Sequence, residues 1–178
     1  MKNSKHALIA VLAVLAAGTA SAQSKANDSG YYGEVGYTAL NLKNGNNGFD
    51  ATPKLMRMTL GKEIDKNLSV EASYAFTASK DSSVVGGENY TAKATAFSVA
   101  LKPKIELTKD LEAFARIGAT NSKYEDEGSS ISKTKLSYGI GLQAQFTKDV
   151  YGQIDYMNYY KEDDLSGKGF TVSVGTRF

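Results

Sequence analysis

The chain has 178 residues, with 21 basic and 19 acidic side chains, a formal net charge of +2, 17 glycines, 11 tyrosines and no cysteine or tryptophan. A net charge so close to zero gives no electrostatic reason to expect a nucleic-acid partner. Beyond the N-terminal region no stretch approaches 18 apolar residues, which excludes helical membrane spans, and the absence of cysteine excludes disulfides.

Residues 1–22 have the features of a secretory signal peptide. Two lysines precede an apolar run over 7–17, and Ala20-Ser21-Ala22 provides a small-residue cleavage site. We therefore expect cleavage between Ala22 and Gln23, which would leave 19 basic and 19 acidic residues. A retained N-terminal anchor is the less favoured alternative, because the apolar run is too short to span a bilayer.

Short turns and long polar segments alternate along residues 23–178, which we interpret as one β-barrel domain. A Lys-Asn or Lys-Asp pair between apolar residues recurs at 64–68, 107–111 and 146–150, a pattern typical of tight hairpin turns. The intervening segments predict eight strands, at 31–40, 54–63, 67–77, 92–106, 111–120, 134–146, 150–160 and 169–178. An even number of strands with short turns on one side is typical of an outer-membrane barrel.

Each predicted strand has one apolar face and one polar face. In the final strand Val172, Val174 and Phe178 share the apolar face, because successive side chains alternate. On the polar faces are charged residues that we expect to form a charge network in the lumen: Glu34, Arg57, Glu71, Lys102, Glu112, Arg116, Lys135, Asp155 and Arg177.

A soluble periplasmic sandwich or a lipocalin-like barrel is the rival architecture, with the apolar faces pointing inward. Six glycines on the polar faces argue against it, since on a solvated face they would weaken the strands, whereas in a lumen they make room for long charged neighbours. The aromatic terminus Phe178 fits a strand that ends at a lipid interface and is recognised by the barrel-assembly machinery. Pro103 cannot donate to a ladder, so we expect a bulge or kink there and a slightly shorter fourth strand.

Three segments resemble a known family. They are Tyr-Gly-Glu-Val-Gly-Tyr at 32–37, Leu-Thr-Lys-Asp-Leu-Glu-Ala-Phe-Ala-Arg-Ile-Gly at 107–118 and Val-Gly-Thr-Arg-Phe at 174–178. They resemble the eight-stranded outer-membrane barrels grouped around the OmpA transmembrane domain, OmpX/Ail and the neisserial opacity-type surface proteins.

The resemblance implies an all-β fold, a closed eight-stranded antiparallel up-and-down barrel in the outer membrane of a Gram-negative bacterium. It also implies lumen-facing roles in charge networks for Glu34, Glu71 and Arg116. The chain departs from full-length OmpA because no peptidoglycan-binding domain follows the last strand, so we expect no cell-wall tether.

The sequence favours a non-catalytic role. Hydrolytic barrel enzymes use a histidine as general base or as part of a nucleophile-activating group, and the single histidine, His6, would leave with the signal peptide. We therefore expect no catalytic residue, cofactor or metal. The alternatives are a low-conductance porin-like channel and, more remotely, a lipid-modifying barrel enzyme. A charge-paired core is favoured over a channel because eight strands leave little bore.

The long polar segments are expected to be four extracellular loops that form the interaction surface. Their acidic clusters, Glu125-Asp126-Glu127 and Glu162-Asp163-Asp164, could hold a divalent cation, but they lack the spacing of a calcium loop. Nearby lysines could meet lipopolysaccharide phosphates. We expect a monomer whose partners are outer-membrane lipid, lipopolysaccharide and a host or surface ligand.

Overall fold

A computed structural model describes residues 29–45, 49–79, 81–85, 88–126, 129–162 and 165–178. These segments form ten β-strands: β1 (Tyr31–Asn44), β2 (Phe49–Ala51), β3 (Lys54–Asp65), β4 (Leu68–Ser79), β5 (Asp81–Val85), β6 (Glu88–Thr108), β7 (Leu111–Asp126), β8 (Ser129–Gln145), β9 (Val150–Glu162) and β10 (Leu165–Arg177). None of the described segments forms a helix of the length and hydrophobicity that a bilayer crossing requires.

Eight of these strands close into an antiparallel barrel. The pairing runs in the order β1-β3-β4-β6-β7-β8-β9-β10, and β10 then pairs with β1 from Tyr32↔Arg177 to Asn44↔Leu165. The short strands β2 and β5 lie off this path and pair with β1 and β6. The closed, eight-stranded, up-and-down barrel predicted from the sequence is therefore confirmed.

Three tight turns join neighbouring strands at one end of the barrel, here called the turn end; the opposite end is the loop end. In the β3–β4 turn the backbone N–H of Asn67 donates to the carboxylate of Asp65 over 2.7 Å. In the β8–β9 turn the N–H of Val150 donates to the hydroxyl of Thr147 over 3.1 Å. Short polar side chains thus satisfy turn backbone groups, at the positions that the Lys-Asn and Lys-Asp pairs predict.

The strands extend further toward the loop end than predicted. β6 has 21 residues, β7 has 16 and β8 has 17, and the β7–β8 ladder continues to Asp126↔Ser129. The prediction of a loop over 121–133 was wrong for residues 121–126 and 129–133, which are mostly polar and therefore look like loop in the sequence. The short strands β2 and β5 also lie in segments predicted as loops.

The sequence suggested that Pro103 shortens its strand, but the strand is not shortened. β6 continues past it to Thr108, and the side chain points outward and is exposed. The ladder to β7 pairs Leu101 with Ile117 and resumes at Lys104 with Phe114, so the register is unchanged across the proline. The missing N–H interrupts the pairing locally, while the irregularity in the ladder lies nearer the turn end, between Glu106 and Thr108.

The exterior of the barrel is apolar. Ile140 is 71 % exposed, and the outward positions of all eight barrel strands carry exposed apolar or aromatic side chains, among them Tyr37, Met58, Val70, Phe97, Ile117, Leu142, Ile154 and Val172. Exposed hydrophobic area of this extent is not stable in water and marks a surface that meets lipid. The rival soluble sandwich, with its apolar faces inside, is therefore contradicted.

Candidate functional site

The middle of the lumen contains six buried charged side chains, here called the central cluster. Each comes from a different strand among β1, β3, β4, β6, β7 and β9, and the three acids balance the three bases. The members are Glu34, Glu71, Asp155, Arg57, Lys102 and Arg116. Six charged residues from distant parts of the sequence meet because alternate residues of every strand point into the same narrow interior.

Arg116 on β7 contacts all three acids of the central cluster. Its Nε donates to Glu71 over 2.5 Å, and its Nη2 donates to Glu34 over 3.2 Å. Its Nη1 lies 3.2 Å from a carboxylate oxygen of Asp155, an ion pair without hydrogen-bond geometry. The Arg116 side chain is 5 % exposed. Since an arginine stays charged when buried, these three carboxylates compensate it.

Neutral donors complete the environment of Glu34. The hydroxyl of Tyr151 donates to it over 3.0 Å and the amide of Gln153 over 2.6 Å, while the ammonium of Lys102 lies 3.4 Å away. A buried carboxylate with several donors is more stable than one with a single ion-pair partner, because its remaining lone pairs are satisfied.

Arg57 and Asp155 form a bidentate pair on the loop side of the central cluster. The two guanidinium nitrogens donate to the two carboxylate oxygens over 2.9 and 2.5 Å. Nη1 of Arg57 also donates to the hydroxyl of Tyr159 over 3.1 Å. This fork geometry fixes both side chains and links β3 to β9 across the lumen.

The other three predicted network residues lie at the edges of the central cluster. Glu112 is half-buried and accepts a hydrogen bond from Gln143 over 2.8 Å. Arg177, at the turn end, donates to Gln145 over 2.7 Å. Lys135 lies toward the loop end, opposite Thr120 in the ladder, and is half-exposed.

The sequence analysis missed two charged residues of the lumen, Glu63 and Lys104. The ammonium of Lys104 lies 2.6 Å from the carboxylate of Glu63, and the guanidinium of Arg177 lies 3.6 Å from the same carboxylate. The alternation of β3 and β6 places Glu63 and Lys104 on the same faces as Arg57 and Lys102, so continuing the count toward the turn end of each strand would have found them.

Aromatic rings, rather than charged side chains, fill the space above several lumen glycines. The ring of Tyr32 covers its cross-strand partner Gly61, and the ring of Tyr151 covers Gly175. A Cβ at either glycine would collide with the ring, so these positions require glycine. The prediction that glycines make room for charges was therefore incomplete. The charges lie above the rings instead: Lys102 lies 5.2 Å from the Tyr32 centroid.

The loop-end half of the lumen is built differently. A belt of buried hydroxyls comes first: Thr120 and Ser98 are hydrogen-bonded over 2.7 Å, Thr120 donates to Ser137 over 2.7 Å, and Thr38 and Thr171 are joined over 2.8 Å. Beyond the belt lies an apolar cluster, formed by Leu40, Leu42, Ala51, Leu55, Ala75, Ala94, Met157 and Tyr159. The sequence analysis placed apolar residues on the outward faces alone and missed this cluster.

Two spaces in the described part of the interior leave almost no room for water. A cavity beside the apolar cluster, lined in part by Leu40, Leu55 and Tyr159, has a volume of about 10 Å³. The space between Tyr32, Lys102 and Tyr151 has a volume of about 0 Å³. A single water requires about 10–15 Å³, so neither space holds a water-filled path. Within the described segments no group of three or more acidic, histidine or cysteine side chains is arranged to bind a metal.

At the loop end, β6, β7 and β8 continue beyond the last β8–β9 pair, with β6 paired to β7 as far as Lys93↔Glu125. The paired residues of β7 and β8 in this region (119–126 and 129–137) are here called the β7–β8 extension. The ladder between β8 and β9 stops at Tyr138↔Asn158. The nine residues of β8 beyond it continue for about 30 Å at the usual rise per residue. The β8–β9 ladder does not continue along them, and Lys133 and Lys135 share one face of this strand.

Some predicted features lie outside the described residues. These are the signal peptide with its cleavage site between Ala22 and Gln23, and the side chains of the acidic clusters at 125–127 and 162–164. Phe178 is described: its N–H donates to the carbonyl of Tyr31 over 3.0 Å, so the chain terminus is tied to the first strand.

Comparison with known proteins identifies relatives of this architecture. The profile of the family described as "Outer membrane protein beta-barrel domain" matches residues 10–178. The attachment invasion locus protein of Yersinia enterocolitica is 25 % identical over 149 residues, covering 81 % of this chain and 83 % of the relative.

Two solved structures share the fold. The attachment invasion locus protein of Yersinia pestis, in complex with the heparin analogue sucrose octasulfate, has a TM-score of 0.62 and 22 % identity, and the match covers 83 % of this chain and 97 % of that one. Neisserial surface protein A has a TM-score of 0.65 and 16 % identity, with 84 % and 98 % covered.

Proposed function

The chain belongs to the family of outer-membrane protein β-barrel domains, and we propose that it acts there as a non-catalytic surface protein that binds its partners through the β7–β8 extension. Its location is the outer membrane, where short turns face the periplasm and long loops the cell exterior. The proposal includes export through residues 1–22, assembly through the strand that ends at Phe178, and a monomeric state.

The observation that supports this function most strongly is the contrast between the filled interior and the extension outside. The central cluster and the apolar cluster occupy the lumen one above the other. A solute would have to displace both of them to cross the barrel. The outer part of the β7–β8 extension, in contrast, carries exposed side chains such as Asn121, Lys123 and Lys133, and β8 continues for about 30 Å along the strand beyond the last β8–β9 pair. A rigid extension of paired strands presents a ligand surface at lower entropic cost than a flexible loop does.

The ligand class that we propose is an anionic glycan. The Yersinia pestis relative was solved with a heparin analogue, and the extension of this chain carries Lys123, Lys133 and Lys135. Ammonium groups bind sulfate and carboxylate through charge-assisted hydrogen bonds. Further lysines on the outward face at the loop end, Lys54 and Lys168, are placed to meet lipopolysaccharide phosphates.

A shortened hairpin tests the proposal. Replacing residues 123–132 by Asn-Gly joins Ser122 to Lys133, which are already paired, through a dipeptide that favours two-residue hairpin turns. Cells that display the shortened protein should lose adherence to a heparin-coated surface and to cultured epithelial cells, while the barrel remains folded.

The matched control is Glu127→Asn, which creates the same Asn-Gly dipeptide at 127–128 and keeps the full length of the extension. This variant should adhere like the unchanged protein. Equal adherence of the shortened variant and the control would refute the assignment to the extension. Binding to epithelial cells without binding to heparin would refute the anionic glycan as the ligand but not the assignment of binding to the extension.

A further inference from the structure

The lipid-facing exterior contains a groove on its turn-end half, here called the lateral groove. Its volume is about 810 Å³. Ala113 and Ala115 of β7 form the floor. The larger side chains of β6 and β8 stand on either side, where Ile105 and Leu142 both pair with Ala113. Two alanines between branched residues leave a depression that the chain itself does not fill.

The lateral groove begins near the periplasmic turns. Ala113 lies two residues after Leu111, which starts β7, so the floor begins about 7 Å along the strand from the turn. Asn67, in the neighbouring β3–β4 turn, lines the same groove. The groove therefore runs from the periplasmic interface into the inner half of the hydrocarbon layer.

We propose that the lateral groove binds one acyl chain of an anionic phospholipid from the inner leaflet. An acyl chain is the medium that surrounds this face. A flexible chain that fills the depression also gains dispersion contacts that an empty groove lacks. Lys104 and Asp155 also line the groove, but their side chains are buried on the lumen side. The outward side chains of the floor and walls are apolar or aromatic, while the polar Asn67 lies at the periplasmic foot. That polarity matches a lipid with its headgroup at the turn and its tail along β7.

Charge at the foot of the groove selects the headgroup. Lys66 precedes Asn67 in the β3–β4 turn, and Lys109 lies in the β6–β7 turn directly before β7; both are exposed. Lys109 has an acidic neighbour, Asp110, at 3.8 Å, but this pair is solvated, with the lysine side chain 88 % exposed, and such pairs contribute little. Lys66 likewise follows an exposed acid, Asp65, whose carboxylate accepts from the backbone N–H of Asn67. Both ammonium groups are solvent-exposed at the interface, where they can bind the phosphate of an anionic headgroup.

A second copy of this chain is the competing occupant. A two-fold interface places the same patch of both copies face to face. Two concave surfaces in that arrangement would leave a void between them instead of the close packing of a stable interface. The proposal concerns the lipid-facing flank, so it stands or falls independently of the extracellular function.

Native mass spectrometry of the folded protein, extracted from vesicles of phosphatidylethanolamine and phosphatidylglycerol, tests the proposal. The unchanged protein should retain one phosphatidylglycerol. Ala115→Leu, which fills the floor, should lose it. The control Ala72→Leu changes an exposed outward alanine on β4, outside the groove, and should retain it. Lys109→Gln should retain phosphatidylethanolamine and phosphatidylglycerol equally.

Three results would overturn the proposal: retention by Ala115→Leu equal to that of the unchanged protein, loss in both alanine variants, or a dimer that Ala115→Leu abolishes. The chain has no tryptophan, which permits a second measurement if Ala115→Leu does not fold. Fluorescence of Leu142→Trp, at the groove, should be quenched at a lower fraction of brominated phosphatidylglycerol than that of Val70→Trp, on β4. Equal quenching would contradict the binding site.

Discussion

The two halves of the barrel interior are filled by different kinds of side chain. Toward the periplasm, the central cluster fills the lumen with six charges that must all be present, since each arginine or carboxylate is compensated by the others. Toward the exterior, uncharged hydroxyls and the apolar cluster fill the lumen, so a change there leaves no buried charge without compensation. The central cluster therefore specifies how the strands are arranged, whereas the loop-end half closes the lumen.

The largest effect should come from Arg116→Ala. Removing this guanidinium leaves Glu34, Glu71 and Asp155 with an excess of buried negative charge, so the free energy of unfolding should fall by about 3–5 kcal/mol. Urea unfolding in lipid vesicles measures it. Arg177→Ala is the matched control: its side chain is 26 % exposed at the turn end, and it should cost about 1 kcal/mol. Equal costs would remove the distinction between the buried cluster and its rim.

Leu55→Ala should have the next largest effect, in the other half of the interior. Leu55 is 3 % exposed in the apolar cluster, and truncating a buried leucine costs about 3 kcal/mol through lost contacts and the cavity that remains. Leu60→Ala, on the outward face of the same strand and 56 % exposed, should cost less, because lipid fills the space. A larger cost for Leu60 would mean that the assignment of the two faces of β3 is reversed.

The coupling between Arg116 and Glu71 should be smaller but diagnostic. The two share a hydrogen bond of 2.5 Å, so a double-mutant cycle with Arg116→Ala and Glu71→Gln should give an interaction of about 1–3 kcal/mol. The same cycle between Arg116 and Leu55, which belong to different halves, should give none. Coupling across the two halves would show that they do not act independently.

Thr120→Val should have the smallest effect of the series. The substitution preserves shape but removes the hydroxyl that joins Ser98 to Ser137. The loss should be about 1–2 kcal/mol, because two buried hydroxyls lose a partner. Thr134→Val, whose hydroxyl accepts from Asn121 on the exposed exterior, should change the free energy of unfolding by less than about 0.5 kcal/mol.

The parts of the fold that the sequence predicts well are those encoded by local pattern. The three turns follow from Lys-Asn and Lys-Asp pairs, and the alternation of Val172, Val174 and Phe178 identifies the lipid-facing side. The loop-end strands were missed because residues such as 129–135, of which only Ile131 is apolar, lack the apolar alternation of the membrane-spanning part. Their strand conformation depends on pairing with β7, which no local pattern encodes.

The lumen, too, has features that the local sequence pattern predicts and features that it does not. Alternation places Arg57, Glu71 and Arg116 inside, and the structure brings them together with Glu34, Lys102 and Asp155. Which acid pairs with which base was not predictable, because it depends on the stagger between strands. The apolar cluster that contains Leu55 and Met157 was not predictable for another reason. An apolar side chain on the inner face looks like an exception to the alternation until its depth along the barrel is known.

The conductance of the refolded protein in a planar lipid bilayer tests the central claim most directly, that the lumen is closed by two independent fillings. We predict no current steps above the bare membrane, for the unchanged protein and for Arg116→Ala alike, since the apolar cluster remains closed when the central cluster is disrupted. Stable ion currents through the unchanged protein would contradict this account and identify the barrel as a channel.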